Sequence, residues 1–507
     1  MSDGSIFLDY YEMHHIENIY WFRNDLRLND NSALFQSSKY SNVAAIYIYD
    51  TKIIEADDFS NLHLDFINDS LIEISGSFRK YSSWLNVFQG NSFDILKKIM
   101  KTYQIKNLFS HNEVRNLITH QIDAEVKSLC DHNGVQWHLF QRNGVFTGLK
   151  NRDGWSRLWI NEMQKKIISK PNLSNFKRLR DAKGILDSDS LKIKKNQYIK
   201  SYKGGESSAK SQLEKFLDES SLRYSKDISS PLKAEKSCSR LSSYITYGNL
   251  SMKYIVQRTQ ARQNILRNTK IRNGWLGSLK SFSSRLRWHC HFIQKLEMQP
   301  NLENTNMVRA FDNIRKQINA EFLSRWGKGE VGYPMVDACM RFLKNNGWIN
   351  FRMRAMLVSF ASYNLWLDWR KTSKYLSKYF TDYEPGIHYN QFQMQSGVTG
   401  INAIRIYNPV KQQKDHDPEG NFVRKWIPEL QNIPDDYIQY PYLMSQSLQK
   451  KVSCIIGKSY PEPVVDLKIS SMVAKKNIFS IKSLPITKKQ SNIAYQIHGS
   501  RKRNNRN

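Results

Sequence analysis

Small hydroxyl side chains surround a single arginine, Arg240, in the segment Ser237 to Ser251, which reads SCSRLSSYITYGNLS. Backbone N–H groups and hydroxyls that gather at the positive end of a helix suit a phosphate or pyrophosphate group. The same pattern also occurs at an ordinary helix N-cap, where a serine caps the backbone and binds no ligand. The segment alone therefore leaves two alternatives open, an anion site and a plain cap.

The cysteines and glycines of the chain do not form the motifs of common disulfide, metal or dinucleotide sites. The five cysteines are Cys130, Cys238, Cys290, Cys339 and Cys454. Their odd number and the lack of any CxxC pair argue against disulfides, a zinc ribbon and a clustered iron–sulfur site, so no metal site is predicted. No GxGxxG motif follows a predicted strand, which counts against the usual dinucleotide fingerprint.

The predicted secondary structure that must position these residues changes along the chain. Asn18 to Phe22 and Asn42 to Asp50 have the composition of buried strands, as do IKNLFSH and VQWHLF further on. Between them, Phe93 to Tyr103 carries apolar residues at helical spacing. This alternation predicts a doubly wound α/β domain with a parallel sheet.

The rest of the chain has few β patterns. Met335, Cys339 and Phe342 share one face of a helix that we expect to begin at Pro334. Similar helical spacing recurs from Ser211 onwards, after a polar stretch. We predict an α/β domain at 1–148, an interdomain linker at 149–210, a helical domain at 211–475 and a basic, loosely held tail at 476–507.

The charge balance favours an anionic partner. Lys and Arg number 76 against 46 Asp and Glu, and the resulting net charge of +30 attracts nucleic acid, although a Lys-rich genome would produce the same excess. No basic amphipathic helix and no run of about eighteen apolar residues stands out, so no membrane association is predicted. No signal peptide is visible, and a cytoplasmic protein is expected.

Two stretches resemble one known family. Residues 332–430 contain GYPMVDACMRFLKNNGW, DWRKTSKY, FTDYEPGIH and RIYNPVKQ in order, and WFRNDLRLNDNSAL stands at Trp21 to Leu34. The first series resembles the flavin-binding helical domain of the photolyase and cryptochrome family, and the second resembles its first strand and turn. The resemblance implies an α/β doubly wound N-terminal domain, an all-helical FAD-binding domain and FAD as cofactor.

The resemblance also favours the anion-site alternative for the hydroxyl-rich segment. It implies that FAD contacts Tyr224, Cys238, Ser239, Arg240, Leu241, Ser242, Phe351, Arg354, Asp382, Glu384 and His388. Cys238 stands where the family usually has threonine. Arg354 would reach the isoalloxazine ring and pair with Asp382, since a cation near the ring stabilises an anionic reduced flavin. An ordinary surface ion pair is the alternative.

Three features of the chain depart from the family pattern, and the first is His388. Many members carry an asparagine there, facing the flavin N5. An imidazole titrates near neutral pH, so His388 could deliver a proton to N5 and make the redox behaviour pH-dependent. A loop histidine bonded to backbone is the alternative.

The second departure interrupts the tryptophan relay that leads to the flavin in many members. Trp369 matches its middle position, but Phe392 stands at the place next to the flavin and Lys316 near the surface. Phenylalanine is much harder to oxidise than tryptophan, so another electron route is expected. We assign Trp369, Phe392 and His388 to the redox chemistry of the site. Nearby substitutes, or plain packing residues, are Trp366, Tyr383 and Tyr389.

The third departure concerns the substrate. No acidic residue occurs between Glu235 and Glu297, so the glutamate with which photolyases usually bind a flipped pyrimidine pair is absent. Arg285 takes its place, and arginine can donate to pyrimidine carbonyls and stabilise a radical anion. The resemblance implies that the substrate and DNA contacts are Arg285, Trp288, Arg352, Met394 and Arg405.

Two functions follow from this pattern. The first is light-driven repair of cyclobutane pyrimidine dimers in DNA, in which the damaged bases are flipped into the flavin cavity. The second is a cryptochrome-like blue-light receptor without repair activity, which His388, the broken relay and the missing glutamate favour. Repair is our prediction, because the strong basic charge fits a DNA partner.

An antenna pigment and the oligomeric state complete the expectations. In this family the antenna is commonly a folate or a deazaflavin, and it would sit between the α/β and helical domains. Ser110 to Val114 is a candidate contact for it. We expect a monomer.

Overall fold

The computed structural model describes residues 15–200, 202–269 and 272–499. Its five strands are β1 (Asn18–Phe22), β2 (Val43–Asp50), β3 (Leu85–Gly90), β4 (Asn107–His111) and β5 (Gln136–Phe140). They form one parallel sheet in the order β3-β2-β1-β4-β5, which confirms the doubly wound prediction. Strand β3, LNVFQG, was not predicted, because it mixes amides with its apolar residues.

Helices cover both faces of this sheet. They are α1 (Ser32–Ser37), α2 (Thr51–Ile54), α3 (Asn61–Arg79), α4 (Ser92–Thr102) and α5 (Leu117–His132). Successive side chains of β1 point to opposite faces, as the pleat requires. Ile19 and Trp21 pack in the core that contains α4 and α5, whereas Tyr20 and Phe22 join the core shared with α3 and the helical domain.

The remainder of the described chain consists of helices and connecting loops, with no further named strand. The helices are α6 (Trp155–Gln164), α7 (Glu206–Asp218), α8 (Tyr224–Asp227), α9 (Pro231–Ser237), α10 (Ser242–Thr246), α11 (Met252–Asn268), α12 (Trp275–Met298), α13 (Ala320–Lys328), α14 (Pro334–Asn346), α15 (Phe351–Ser359), α16 (Trp369–Ser377), α17 (Pro385–Gln395), α18 (Pro409–His416), α19 (Asn421–Trp426), α20 (Gln446–Lys451), α21 (Leu467–Lys482) and α22 (Pro485–His498). The predicted face of α14 is buried, and Gly347 ends that helix in a left-handed conformation. Within the described residues, no helix is both long and apolar enough to cross a bilayer.

Two of the predicted boundaries need correction. Helix α6 lies inside the predicted linker and buries Trp155 and Trp159, because its apolar residues recur at helical spacing within a polar stretch. The prediction of a loosely held tail was wrong as far as residue 499. Helices α21 and α22 are ordered there, and Ala494 of α22 is buried against the helical domain. The last eight residues of the tail lie outside the described residues.

The two domains meet through buried hydrogen bonds to backbone carbonyls near the carboxyl end of β1. The Leu26 N–H donates to the Tyr247 carbonyl (3.0 Å), and Asn249 Nδ2 donates to the Leu26 carbonyl (2.8 Å). Arg27 Nη1 donates to the Gly248 carbonyl at 2.9 Å. Buried backbone groups must be paired, so these bonds fix the place of α10, which ends one residue before Tyr247.

Gly248 permits this close approach, and its substitution gives a test. Its φ is +71°, and a Cβ at this position would lie 2.2 Å from the Asn24 carbonyl oxygen. We expect Gly248→Ala to lower the free energy of unfolding by about 2 kcal/mol or more, as measured by denaturant unfolding. The control is Gly76→Ala in α3, where a Cβ meets nothing within 4 Å. It should stabilise by up to about 1 kcal/mol. Equal stability of the two variants would contradict the close contact.

Candidate functional site

A cavity that is partly open to solvent lies inside the helical domain. Its walls are the segment from α9 to α10, one face of α12, the junction of α14 with α15, and α17. Gly386 at the start of α17 allows that helix to approach α12 closely, since a Cβ there would lie 2.6 Å from the Ile293 Cα. The cavity is therefore enclosed by elements that are far apart in sequence.

The structure brings almost all of the predicted cofactor contacts into this cavity. The lining includes Tyr224, Cys238, Ser239, Arg240, Leu241, Ser242, Phe351, Arg354, Asp382 and His388, and Phe392 lines it as well. Burial raises the pKa of the Cys238 thiol to about 12, so this residue remains a neutral part of the wall. Among the predicted cofactor contacts, only Glu384 lies outside the lining.

The predicted pair of Arg354 and Asp382 is present. Arg354 Nη2 donates to Asp382 Oδ2 at 2.8 Å, and Arg354 Nε donates to the Ile349 carbonyl at 2.7 Å. The Arg354 side chain is 25% exposed and that of Asp382 5%, which is not the geometry of a surface pair. The guanidinium also lies 4.1 Å from the centre of the Phe380 ring. Arg354 thus places a positive charge at the cavity wall, and the carboxylate of Asp382 compensates that charge.

Arg240 has an unusual backbone and a stacked side chain. Its φ is +55°, in the left-handed region, and its guanidinium lies 3.9 Å from the Trp348 ring centre and 4.4 Å from that of Tyr202. Burial lowers its pKa to about 9, while Asp382 acts in the opposite direction. A residue other than glycine is strained in this backbone conformation, and such residues cluster at ligand sites.

Several buried polar atoms that face the cavity have no hydrogen-bond partner among the described residues. They are Arg240 Nε, Asn350 Oδ1, Asp382 Oδ1, Gln391 Oε1 and both ring nitrogens of His289. Each unpaired buried polar group costs about 1–3 kcal/mol. A ligand that offers both donors and acceptors, together with an apolar ring system for the aromatic walls, would satisfy them. These residues therefore fit FAD.

Sequence reasoning missed three of these polar residues. His289, Asn350 and Gln391 were not singled out, although His289 stands four positions after Arg285 and thus on the same face of α12. That spacing was the available signal. Burial lowers the pKa of His289 to about 3, so its imidazole is neutral and offers one donor and one acceptor.

Glu384 has a different role from the one predicted. It is buried at the start of α17, and its Oε2 lies 3.9 Å from Arg115 Nη1 of the α/β domain. Burial raises its pKa, and Arg115 opposes that shift. Nearby, Arg142 pairs with Glu113 at 3.2 Å and donates to the carbonyls of residues 245 and 246 at the end of α10. Glu384 thus belongs to a charged cluster that joins the two domains.

His388 faces the cavity, but its titration differs from the prediction. Its Nε2 lies 3.0 Å from the Ser373 carbonyl, so Nε2 carries the proton and donates it to that oxygen. Burial lowers its pKa to about 4. The histidine is therefore neutral at physiological pH, and the pH dependence near neutrality that we expected from its residue type is wrong for this environment.

The predicted redox residues form a row of rings that ends at the cavity. Trp369 is buried away from the cavity, donates from Nε1 to Asn306 Oδ1 (2.7 Å) and contacts Tyr389 with ring centres 6.4 Å apart. Tyr389 lies 5.7 Å from His388, which lies 4.5 Å from Phe392. The structure therefore places Tyr389 and His388, rather than a second tryptophan, between Trp369 and the cavity.

The predicted substrate residues line a groove that shares its mouth with the cavity. The groove contains Arg285, Trp288, Arg352, Met394 and Arg405. Arg285, Trp288 and Phe351 line both spaces, and the Arg285 guanidinium lies 4.5 Å from the Trp288 ring centre. The Trp288 side chain is 47% exposed, an unusual fraction for a tryptophan. No aspartate or glutamate lines the groove in the described part of the chain.

A second cavity lies at the carboxyl ends of β1 and β2 and beside the residues that follow β4, and the strand order reverses between β1 and β4. It is lined by both domains, through residues that include Arg23, Asn24, Asp50, Glu113, Arg115, Tyr247 and Tyr383. Open α/β sheets usually bind ligands at this switch point. Within the predicted antenna contact, Glu113 lines this cavity, and Asn24 donates to its carboxylate from both backbone and side chain.

Comparisons with known proteins agree with this geometry. Residues 18–150 match the family described as DNA photolyase, and residues 282–479 match the one described as the FAD binding domain of DNA photolyase. The chain belongs to the photolyase and cryptochrome family. Its helical domain is the family's FAD-binding domain, and FAD is its cofactor.

Relatives in this family include repair enzymes and cryptochromes. A stretch of 192 residues is 34% identical to a deoxyribodipyrimidine photo-lyase of Alkalihalophilus pseudofirmus, over 37% of this chain and 40% of that protein. Identity is 25% to cryptochrome DASH of Synechocystis sp. (88% of this chain, 94% of that protein) and 26% to the deoxyribodipyrimidine photo-lyase of Escherichia coli (89% and 96%). A class III photolyase structure from Agrobacterium tumefaciens has a TM-score of 0.79 at 23% identity, over 93% of this chain and 98% of that one, which shows the fold.

The ion pair in the cavity gives a test of cofactor retention. Asp382→Asn leaves the Arg354 charge without a counter-ion, so we expect the affinity for FAD to fall by about tenfold or more. The measurement is flavin absorbance per protein after purification and dialysis. Glu429→Gln is the control, because it removes an ion pair with Arg341 (2.9 Å) on the surface. Full FAD content in Asp382→Asn would contradict the role of the pair.

Proposed function

We propose that this protein repairs UV-induced cyclobutane pyrimidine dimers in DNA with the energy of blue light. The observation that carries the proposal is the shared mouth between the FAD cavity and a groove lined by cations and by exposed aromatic rings. A ligand in the groove would thus have direct access to the cofactor. A receptor that binds no substrate has no need of such an opening.

In this proposal the cavity residues bind and orient the cofactor. Arg240, Ser239 and Ser242 would hold its pyrophosphate, and Arg354 with Asp382 would hold the ring. When bound and reduced, FAD supplies the electron that light drives onto the dimer and that returns once the cyclobutane ring has opened. His388, neutral and tied to the Ser373 carbonyl, keeps its Nε2 proton during this cycle.

The mouth of the cavity suits a flipped base pair. Trp288 and Met394 would contact the faces of the two bases, since an indole and a thioether both pack against aromatic rings. Arg285 would donate to pyrimidine carbonyls in place of the usual glutamate. Its charge would also stabilise a radical anion of the substrate electrostatically.

The groove outside the mouth suits the DNA backbone. Its cations are Arg152, Arg285, Arg287, Lys295, Arg352 and Arg405. Lysine and arginine side chains bind phosphates and release counter-ions, so affinity depends strongly on salt. Phosphate contacts of this kind position a strand without reading its sequence, which is what a lesion-specific enzyme needs.

A blue-light receptor without repair activity is the second candidate. The substitution of the usual glutamate by Arg285 favours it, because a pyrimidine pair loses one hydrogen-bond acceptor there. Both candidates require FAD, so cofactor content does not distinguish them. Light-driven repair of damaged DNA distinguishes the two candidates.

We further propose that the second cavity binds an antenna chromophore, a folate or a deazaflavin. Its aromatic walls, among them Trp21, Tyr47 and Tyr383, suit a planar ring system. Arg23 and Arg115 supply positive charge for an anionic tail. Mass spectrometry of small molecules released from the purified holoprotein tests this, and the detection of FAD alone would count against it.

The repair proposal predicts the outcome of a single assay. Pre-reduced holoprotein should restore intact thymines in a thymine-dimer oligonucleotide under blue light and not in the dark. Arg285→Ala should lower the repair rate per bound FAD by about tenfold or more, because a charge-stabilising donor is lost. Lys280→Ala is the control, since Lys280 is exposed on the same helix and lines neither space. Photoreducible FAD without any repair would leave the receptor function instead.

Salt dependence tests the groove separately. Arg405→Gln should weaken binding to dimer-containing DNA and reduce the slope of log K against log salt by about 0.9, the value for one phosphate contact. Fluorescence anisotropy at a series of salt concentrations measures this slope. Lys97→Gln, on the exposed side of α4 in the α/β domain, should leave it unchanged. An unchanged slope in Arg405→Gln would place the DNA elsewhere.

A further inference from the structure

Tyr389, Tyr383 and Asp58 form a chain of hydrogen bonds behind the wall of the FAD cavity. The Tyr383 hydroxyl donates to Asp58 Oδ2 at 2.7 Å, and the hydroxyl oxygens of Tyr383 and Tyr389 lie 2.9 Å apart. Because the Tyr383 proton is already directed at Asp58, the Tyr389 hydroxyl is the donor in the second bond. Asn116 Nδ2 also donates to Asp58 Oδ2, at 3.1 Å. The chain therefore leads from a buried phenol to a carboxylate.

This hydrogen-bond chain runs between the two cavities of the molecule. At one end, the Tyr389 ring centre lies 5.7 Å from that of His388, which lines the FAD cavity. At the other end, Asp58 and Tyr383 line the second cavity. Tyr389 belongs to α17, whereas Asp58 stands three residues before α3 in the α/β domain. The chain is therefore complete only when the two domains are packed together.

Tyr389 has a better proton acceptor than the aromatic residues beside it. Trp369, with its ring centre 6.4 Å from that of Tyr389, donates from Nε1 to Asn306 Oδ1. An amide oxygen binds a proton far more weakly than a carboxylate does. Phe392, at the cavity, has no proton to give and is much harder to oxidise. An oxidised phenol is a strong acid, so a tyrosine gives up an electron most readily when a neighbour takes its proton.

Burial keeps both phenols of the chain protonated before any electron leaves. Tyr389 is only 2% exposed and Tyr383 only 5%. Burial raises the pKa of each hydroxyl well above the usual value for tyrosine. Neither group therefore ionises at physiological pH, and the loss of the Tyr389 proton must accompany the loss of an electron from its ring.

We propose that Tyr389 is the electron donor when blue light reduces oxidised FAD in this protein, and that Tyr383 and Asp58 accept its proton. One electron passes from the Tyr389 ring across His388 and Phe392 to photoexcited FAD. The Tyr389 proton moves to the Tyr383 oxygen, and the Tyr383 proton moves to Asp58 Oδ2. Tyr389 is then a neutral radical and Asp58 a carboxylic acid.

A cellular thiolate completes the cycle. It returns one electron to Tyr389 and becomes a thiyl radical, while the two protons move back along the chain to Tyr383 and Tyr389. The thiolate is thus the species that is oxidised overall, and FAD is the species that is reduced. Such a route serves a repair enzyme and a receptor alike, so the proposal depends on FAD and not on the repair function.

Electron paramagnetic resonance after a light pulse tests the donor. The holoprotein carries oxidised FAD and is illuminated without DNA and without added reductant, and the wild type should show the signal of a neutral tyrosyl radical. Tyr389→Phe keeps the ring and removes the O–H group, so this signal should vanish and the rate of FAD photoreduction should fall by about tenfold or more. Tyr363→Phe is the matched control and should behave as the wild type. Tyr363 is equally buried, and its hydroxyl has no hydrogen-bond partner in the described part of the chain.

Infrared difference spectra test the proton path. Light should produce a new carboxylic acid C=O band in the wild type, and this band should be absent from Asp58→Asn. An asparagine accepts the hydrogen bond from Tyr383 without taking up the proton, so the yield of the tyrosyl radical should also fall by about tenfold or more. Asp57→Asn removes the adjacent, exposed carboxylate, which does not line the second cavity, and should change neither signal.

Three results would overturn the proposal. A tyrosyl radical of unchanged yield in Tyr389→Phe would exclude Tyr389 as the donor, and an unchanged carboxylic acid band in Asp58→Asn would exclude the proton path. A tryptophan radical in place of a tyrosyl radical in the wild type would exclude both, even if a variant fails to fold. FAD content and thermal unfolding show which variants are folded. The samples contain no DNA, so these results stand whether or not the protein repairs dimers.

Discussion

The arrangement of the whole molecule depends on the buried hydrogen bonds between residues 247–249 and the turn after β1. Three hydrogen bonds of 2.8–3.0 Å and a glycine that admits the opposing backbone hold this junction together. Separating the two segments would leave buried donors and acceptors unpaired, at about 1–3 kcal/mol for each group. The junction places α10, one wall of the FAD cavity, against the carboxyl end of the sheet. It also creates the second cavity, whose lining comes from both domains.

The FAD cavity and the groove of the helical domain differ in the charged residues that line them. Inside the FAD cavity, Arg354 is compensated by Asp382, whereas Arg240 and Arg285 add positive charge to the wall. In the groove outside, cations line the walls without any described carboxylate. Lys295 is the most buried of these cations.

Much of the site was predictable because its residues stand in short, ordered motifs. The strands β1, β2, β4 and β5, the helix α14 and the pairing of Arg354 with Asp382 were all expected from sequence. Glu384 stands just before α17, and its carboxylate lies near Arg115 of the α/β domain and outside the cavity lining. The ordered α22 was missed, because a basic composition hides the few apolar residues, such as Ala494, that pack it.

The sequence by itself determined the family, the two kinds of domain, the FAD cofactor and most of the residues around it. Local spacing and residue type carry that information, because a helix or strand of given periodicity has only one apolar side to bury. Tertiary structure alone decided which charged groups are compensated. Whether His388 titrates and whether Glu384 meets FAD depend on burial and on neighbours that other elements of the chain supply. The free energy of a charge is set by its surroundings in three dimensions, which no short motif contains.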